Sequence, residues 1–259
     1  MRILKKIVLW GLGLLLVLIA VGVFTGWWLS VPHTQADRVA MSKSPQFSDG
    51  KFVNPEPQAP FEFTSAALRA ALADHKRTTP SGTIPVVELD DDHFSKPPLP
   101  GLRLYWIGHA SVLIEIDGKR VLTDPVFAER ASPFSFAGPK RFHPTPIDLK
   151  KVAGIDAVVV SHNHYDHLDS KTVRHLAKQG TVFHVPLGNK TQLVRWGVPE
   201  QRVREMDWWQ ENEIAGLKIV ATPTRHYSNR GTFDYKETLW ASWSIIGPNN
   251  RVFFSGDTG

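Results

Sequence analysis

The sequence predicts an α/β domain with a mixed sheet, preceded by a membrane-spanning helix. Three observations support this fold class. Residues 7–29 carry no charge, strand-like apolar runs dominate from residue 101 onward, and "IDAVVVS" at 155–161 is nearly continuous in apolar, mostly β-branched residues, as expected of a strand buried on both faces. We therefore divide the 259 residues into an anchor at 1–30, a Pro-rich linker and lead-in arm at 31–100, and a domain at 101–259.

The uncharged run at 7–29 is long enough to cross a bilayer. A helix of this length reaches about 34 Å, and a hydrocarbon core is about 30 Å thick. Trp27 and Trp28 lie at its far end, where interfacial aromatic residues belong. Three basic residues within the first six favour a cytoplasmic N-terminus, which places the domain on the exported side. The alternative is a cleaved signal peptide, whose apolar region is shorter, at about 7–15 residues.

The lead-in arm is rich in proline and polar residues, as in "NPEPQAP" and "SKPPLP". One short helix is predicted at "TSAALRAALADHK" (64–76), with Thr64 or Ser65 as its N-cap. We expect the arm to wrap over the surface of the domain that follows.

Strands dominate the domain, with a helix between two of them. Apolar patterning predicts strands over 102–108, 111–117, 119–124, 155–161, 181–186, 217–223, 239–247 and 251–257. The dipeptide "DG" at 117–118 predicts a hairpin turn. The stretch "SKTVRHLAKQG" (170–180) predicts a helix with Asp169 or Ser170 as N-cap and Gly180 as its stop.

Composition excludes several classes of site. The net charge is +5, but beyond residue 6 there are only 27 basic and 25 acidic residues. No basic run is interleaved with aromatic residues, so we predict no nucleic-acid binding. Cysteine is absent, which excludes disulfides and thiolate zinc sites. Any metal must therefore be held by histidine and carboxylate side chains.

The nine residues "SHNHYDHLD" (161–169) hold three histidines and two aspartates directly after the apolar run. His162 and His164 are separated by one residue, so on an extended strand end both imidazoles point the same way. Asp166 and His167 follow where the chain leaves the strand. Such a group is hard to satisfy in a core without a metal, and imidazole with carboxylate suits Zn²⁺ when thiolates are absent.

Two later strand ends supply further ligands. His226 ends "VATPTRH" and Asp257 ends "VFFSGD", and strand ends on one edge of a sheet converge on a crevice. The sequence therefore predicts a two-zinc centre, with His162, His164 and His226 on one ion and Asp166, His167 and a bridging Asp257 on the other. Two ions lower the pKa of a shared water and stabilise the oxygens of a transferring phosphoryl group. We also take Asp166 and Asp257 as candidate catalytic residues.

The motif "HNHYDH", together with the downstream histidine and "GDTG", resembles the metallo-β-lactamase superfamily. The more restrictive stretches "SPFSFAGPKRF" and "DWWQEN", together with "LWASWSIIGPNNRVFFSGDTG", look like the N-acylphosphatidylethanolamine-hydrolysing phospholipase D family, over roughly residues 100–259. The resemblance implies an αββα sandwich with a two-zinc site at its edge. It also implies cleavage of the head-group phosphodiester of an N-acylated phosphatidylethanolamine, which gives phosphatidate and an N-acylethanolamine.

The same resemblance assigns roles to residues around the ligands. Asp124 in "LTDP" and His109 in "GHAS" look like residues that orient the ligands from behind. For Asp124, a strand-end turn before a proline is an equal alternative. Trp208 and Trp209 either line an apolar lipid groove or pack in the core.

The chain departs from the superfamily pattern at its end. The superfamily supplies one more histidine to the second metal, from a strand well past "GDTG", whereas this sequence stops at Gly259. The expectation is that the sequence holds only the N-terminal part of the sandwich. On that expectation the 259-residue chain leaves sheet edges uncovered, is poorly soluble and has weak or no activity.

Three functions follow from these observations. The leading one is a membrane-tethered, zinc-dependent phosphodiesterase in which metal-bound hydroxide attacks the phosphorus of a phospholipid. A hydrolase of another ester or a lactone would use the same ligands. The third is an inactive remnant or a binding module with an incomplete site.

Overall fold

Two β-sheets face each other in the computed structural model, which describes residues 2–56, 79–87, 89 and 92–258. The first sheet has six strands, and they are β3 (Leu102–Gly108), β4 (Ser111–Ile116), β5 (Lys119–Thr123), β6 (Ala157–Val159), β7 (Val182–Pro186) and β8 (Val203–Met206). The second sheet has four strands, and they are β9 (Glu211–Ile214), β10 (Leu217–Thr222), β11 (Ser242–Ile246) and β12 (Arg251–Phe254). A two-stranded ribbon of β1 (Phe47–Ser48) and β2 (Lys51–Phe52) precedes both.

The six-stranded sheet is mixed. Its strands lie in sequence order, with β3, β4 and β5 antiparallel and the steps from β5 to β8 parallel. Asp117 and Gly118 both have positive φ, 49° and 78°, which is the left-handed geometry of the tight β4–β5 hairpin. All three residues of β6 are fully buried, as a central parallel strand requires. The four-stranded sheet is antiparallel throughout, in the order β12-β11-β10-β9.

Two apolar cores lie on the two faces of the six-stranded sheet. One fills the space between the sheets and includes Ile114, Val121 and Val159 from the first sheet with Ile219 and Trp243 from the second. The other packs the opposite face against helices α3 (Ser170–Ala177) and α4 (Lys190–Arg195). The described residues thus build a helical layer on two stacked sheets, which confirms the predicted mixed α/β fold.

The predicted strands and the helix at 170–180 are confirmed; β3 has the predicted bounds, and the other elements are shorter than predicted. Asp169 caps α3 by accepting hydrogen bonds from the backbone N–H groups of Lys171 and Thr172. Strands β8 and β9 and helix α4 were not predicted. β9 reads "ENEI" and is only partly buried, so it lacks apolar alternation, and α4 is too short to show a helical period. The helix predicted at 64–76 lies outside the described residues.

The N-terminal helix α1 spans Arg2–Leu29. Its segment Leu9–Leu29 has a mean hydropathy of 2.3 and is long and apolar enough to cross a membrane. Signal sequences have the same length and hydropathy, so these two properties fit either kind of segment. After this helix, α2 (Gln35–Met41) and the β1–β2 ribbon lie against the domain, where Met41 and Phe52 are buried in the core between the sheets. The division of the chain at residues 30 and 100 stays a prediction.

Candidate metal centre

Five loops meet at one edge of the sandwich because the strands that precede them end there. The loop after β6 carries "SHNHYDH", the loop after β10 carries His226, and the loop after β12 carries Asp257. Asp124 follows β5 directly, and His109 lies in the β3–β4 turn. Both of these residues have positive φ, 34° and 51°, a left-handed conformation that Asp and His adopt more readily than most residues and that turns the chain sharply.

Three imidazoles form the first potential ligand group. The Nε2 of His162 lies 2.8 Å from the Nδ1 of His164 and 3.1 Å from the Nε2 of His226, and the three ligand atoms lie within 4.8 Å of one another. Two nitrogens bound to one tetrahedral zinc ion are about 3.3 Å apart. Sub-ångström shifts of the rings would therefore accommodate an ion.

The second potential ligand group contains His109, Asp166 and His167. The Nε2 of His109 lies 3.1 Å from the Nε2 of His167 and 3.2 Å from Oδ2 of Asp166. Asp257 stands between the two groups, with its Oδ2 3.3 Å from the Nε2 of His167 and 3.9 Å from the Nε2 of His226. A single carboxylate thus reaches both groups, as a bridging ligand must.

Buried hydrogen bonds fix the tautomers of two imidazoles. The carboxylate of Asp124 accepts from the backbone N–H and the hydroxyl of Ser161, each at 2.6 Å, and lies 2.6 Å from the Nδ1 of His167. Since the Ser161 hydroxyl donates to Asp124, its oxygen accepts from the Nδ1 of His162, 2.9 Å away. Both rings therefore carry a proton on Nδ1, which leaves Nε2 as the nitrogen of each ring that can bind a metal ion.

Burial keeps the first group neutral. It is the main cause that lowers the pKa of His162 far below its ordinary value, and neighbouring imidazoles lower it further. Burial also lowers the pKa of His164 to about 4 and that of His226 in the same direction. Neutral imidazoles are the form that binds metal ions.

The second group has an excess of negative charge. Burial alone would lower the pKa of His167, but the carboxylates of Asp124, Asp257 and Asp166 raise it to about 10. The hydrogen bond from His167 lowers the pKa of Asp257. For Asp166, burial opposes ionisation, but the contacts with His109 and His167 lower its pKa. A cation is therefore favoured beside the Nε2 of His167, and a divalent ion fits this position.

A cavity of about 690 Å³ opens beside the second group. His109, His164 and Asp166 lie on its metal-binding side. The aromatic rings of Trp106 and Phe142 supply apolar wall, and both side chains are exposed. Its cationic residues are Lys140 and Arg141. The volume lies within the range of about 300–1,000 Å³ that is typical of small-molecule sites.

Comparison with known proteins decides the family. The beta-lactamase superfamily domain matches residues 119–259, which is more than half of the chain. The chain belongs to the metallo-β-lactamase superfamily. The superfamily membership inferred from "HNHYDH" and "GDTG" is thereby confirmed.

Three relatives place the chain within this superfamily. An uncharacterized protein of Mycobacterium tuberculosis is 43% identical over 227 residues, which cover 86% of this chain and 60% of that protein. The N-acyl-phosphatidylethanolamine-hydrolyzing phospholipase D 1 of Caenorhabditis elegans is 39% identical over 186 residues, or 68% of this chain and 52% of the relative. The mitochondrial protein of that name from Saccharomyces cerevisiae is 34% identical over 162 residues, which cover 60% of this chain and 34% of the yeast protein. The matched part thus spans 60% or less of the length of each relative.

Five of the six residues predicted as metal ligands lie in these two groups, and the sixth, Asp257, lies between the groups. His109 and Asp124 occupy different positions, although the sequence assigned them one role. Asp124 is fully buried behind His167, whereas His109 presents its Nε2 to Asp166 and His167 as a ligand would. Trp208 packs in the core between the sheets and donates to the carbonyl of Trp240, and Trp209 is exposed away from the residues that line the cavity.

Two residues that support the potential ligands were missed from the sequence. Asn54, in the lead-in arm, donates to the carbonyl of His226 at 2.8 Å and accepts from its N–H at 3.3 Å. Its separation of 172 positions from His226 leaves no local signal. Gly256 has φ +58°, and a Cβ built on it would overlap the side chain of Ser161. The glycine in "SGD" was only a weak sequence signal for this close approach. The approach places Asp257 beside the histidine loop.

Proposed function

We propose that the protein is a zinc-dependent phosphodiesterase that hydrolyses N-acylphosphatidylethanolamine-type phospholipids to phosphatidate and N-acylethanolamine. The observation that supports this proposal most strongly is the pair of ligand groups joined by Asp257 at the wall of an amphiphilic cavity. The names of the nematode and yeast relatives point to the same substrate class.

The donor set suits a pair of divalent ions. His162, His164 and His226 would hold one ion, while Asp166 and His167, with His109 beside them, would hold the other. When bound, the ions supply Lewis acidity that activates water and stabilises phosphate oxygens. The lowered pKa values of Asp166 and Asp257 keep both carboxylates ionised at neutral pH. Their side chains are 46% and 42% exposed, so their oxygens can accept a hydrogen bond from the reacting water and orient it.

The cavity residues suit a lipid phosphodiester. Arg141 stays beside the cavity because it donates to the carbonyls of Ile107 and Val126, and its positive charge favours an anionic phosphate. Trp106 and Phe142 offer apolar surface for the start of an acyl chain. The phosphate of a lipid would thus contact a cationic side chain, and its hydrocarbon would contact aromatic rings, within one cavity.

The N-terminal helix supports a membrane location for this activity. We propose that Leu9–Leu29 spans the bilayer with its N-terminus in the cytoplasm, so that the domain faces the exported side. A lipid substrate would then lie in the membrane that holds the enzyme.

The proposed function is tested by assaying the zinc-loaded protein against N-acylphosphatidylethanolamine and against an acyl lactone. We expect release of the N-acylethanolamine, and we expect the Asp257→Ala variant to lose this activity. The control Asp148→Ala removes an exposed carboxylate at the start of a short 3₁₀ turn and should keep the activity. Turnover of the lactone alone would contradict the proposed phosphodiesterase activity and would indicate an esterase or lactonase. A folded protein that binds no metal would instead favour a binding module.

A further inference from the structure

A second cavity, separate from the metal groups, lies between the end of α1 and the domain. Its volume is about 260 Å³. Trp28 and Leu29 of α1 form one side, and the loop that contains Phe134 and residues of α3 and α4 form the others. Neither metal-ligand group lines this cavity, although Tyr165 contributes to the walls of both cavities.

The walls of this second cavity are strongly cationic. Five basic residues line it, namely Arg130, Lys171, Arg174, Arg195 and Arg230, against the two acidic residues Glu129 and Asp169. Both acids are engaged elsewhere. Glu129 pairs with Lys140 at 2.7 Å, and Asp169 accepts backbone hydrogen bonds at the start of α3.

None of these five cations forms an ion pair with a carboxylate in the part of the chain that the structure describes. Their observed hydrogen bonds go to backbone carbonyls. Arg174 donates to Trp196 O at 3.3 Å, and Arg195 donates to Trp28 O at 3.3 Å. Backbone carbonyls leave the positive charge uncompensated, so the cavity favours an anion.

Two buried polar side chains, Arg230 and Gln192, line this cavity, and one of them has an unpartnered atom. Arg230 is 9% exposed and donates to the carbonyls of Asn163 and Leu168, while its guanidinium stacks 4.1 Å from the Tyr165 ring. Burial lowers its pKa to about 10, which leaves it charged at neutral pH. Gln192 is 3% exposed, and its Oε1 has no hydrogen-bond partner. Unpartnered buried polar atoms are rare in folded proteins. Because this amide oxygen accepts hydrogen bonds, it would take a hydroxyl group of the ligand, such as one from a glycerol, while the cations of the cavity take the phosphate oxygens.

The position of the cavity identifies the source of the anion. The Arg195 guanidinium lies 5.6 Å from the Trp28 ring centroid, at the end of the segment that is apolar enough to span a bilayer. The end of α1 is held there because Asp234 accepts from the Val31 N–H at 3.0 Å and Ser30 accepts from the Phe233 N–H at 3.3 Å. With Leu9–Leu29 spanning the bilayer as proposed above, on which this inference rests, the cavity lies at the depth of lipid head groups, where basic residues attract anionic lipids.

We propose that this cavity binds the phosphate group of an anionic bilayer lipid, at a site distinct from the metal centre. The volume equals that of about nine liquid waters, which suits a phosphate with its glycerol. The cavity volume is below the range of about 300–1,000 Å³ that is expected for a whole drug-sized ligand. The acyl chains would remain in the bilayer along α1. The bound lipid would hold the domain in one orientation on the membrane.

Native mass spectrometry of the full chain, released from detergent micelles that contain equal amounts of phosphatidylglycerol and phosphatidylcholine, tests the proposal. We expect preferential retention of phosphatidylglycerol. The double variant Arg174→Gln/Arg195→Gln should reduce this retention about fivefold for each cation removed. The matched control Lys178→Gln/Arg251→Gln removes the same charge from exposed residues outside the cavity and should retain the lipid. Equal retention by both double variants would overturn the proposal.

Three further measurements separate the alternatives. A His164→Ala variant should keep the lipid, whereas its loss would place the lipid at the metal centre and overturn a second site. Inorganic phosphate alone should not raise the thermal unfolding midpoint as phosphatidylglycerol does, and an equal effect would exclude the lipid as the source. Should the double variant fail to fold, Lys171→Gln, at an exposed position, should reduce retention about fivefold, and unchanged retention would again overturn the proposal.

Discussion

Asp124 sets the orientation of two imidazoles in the candidate metal centre. It is fully buried, and its two oxygens form hydrogen bonds with Ser161 and His167. The hydroxyl of Ser161 in turn accepts a hydrogen bond from His162, which fixes the orientation of that ring. One carboxylate therefore fixes one imidazole in each potential ligand group. The sequence offered Asp124 only as an orienting residue or a turn, because its partners lie 37 and 43 positions away.

We predict that Asp124→Asn lowers metal affinity about 10–100-fold. The amide keeps an acceptor for Ser161 but removes the negative charge beside the Nδ1 of His167. Zinc affinity is measured by competition with a chelator. Asp148→Asn, at an exposed position, is the control and should bind zinc as the unaltered chain does. An Asp124→Asn protein with unaltered affinity would show that the carboxylate does not act through His167.

The histidine pKa values predict a pH dependence of the metal-free protein. The pKa of His164 is lowered by burial to about 4 from 6.5, so the unfolded chain binds more protons and stability falls as pH falls through this window. The pKa of His167 is raised to about 10, so its contribution is present below pH 6.5 and is lost as pH rises towards 10. Thermal unfolding in chelator should show a maximum near pH 6.5. His164→Asn should flatten the acid side, and a midpoint that is constant from pH 6.5 to 4 would contradict the assignment.

At the scale of elements, the strand ends place the site. β6, β10 and β12 end at one edge of the sandwich, and each is followed directly by metal-competent residues. The sequence predicted this convergence because apolar strand patterns stop where the polar motifs begin. It did not predict β9, whose alternate residues are acidic, or the contact of Asn54 with the His226 loop, since such long-range contacts have no local pattern.

The turn after β12 gives a prediction at this scale. Gly256→Ala should displace Asp257, because a Cβ at φ +58° would overlap the Ser161 side chain. We expect at least tenfold weaker metal binding. Gly154→Ala is the matched control, since Gly154 has φ +64° with open space around its Cβ position. It should cost about 1 kcal/mol of stability and keep full metal affinity, and equal losses in both variants would show that backbone strain alone is responsible.

For the whole molecule, the loop at 228–235 joins an apolar helix to the edge that carries the candidate metal ligands. Val31 and Ser30 at the end of α1 contact Asp234 and Phe233, while Arg230 of the same loop contacts the backbone of the histidine loop. The sequence predicted the helix and the metal residues separately. It could not predict their proximity, because this depends on the packing of loops that have no secondary structure.

We predict that the protein fractionates with membranes and is released by detergent but not by high salt, because Leu9–Leu29 is apolar along its length. Replacing Leu15 and Leu18 by Arg costs several kcal/mol of insertion free energy and should move the protein to the soluble fraction. The exchange of Leu15 and Leu18 for Ile is the control and should leave the protein in the membrane. Release of the unaltered protein by salt alone would indicate peripheral binding.

The central claim is that the histidine and aspartate residues of three strand ends together hold a pair of divalent ions. Elemental analysis of the purified, folded chain, with and without Asp257→Ala, tests it most directly. We expect about two zinc ions per chain, and a loss of at least one of them in the variant, because Asp257 reaches both ligand groups. A folded chain that binds no divalent ion, or that binds the same amount without the Asp257 carboxylate, would contradict the claim.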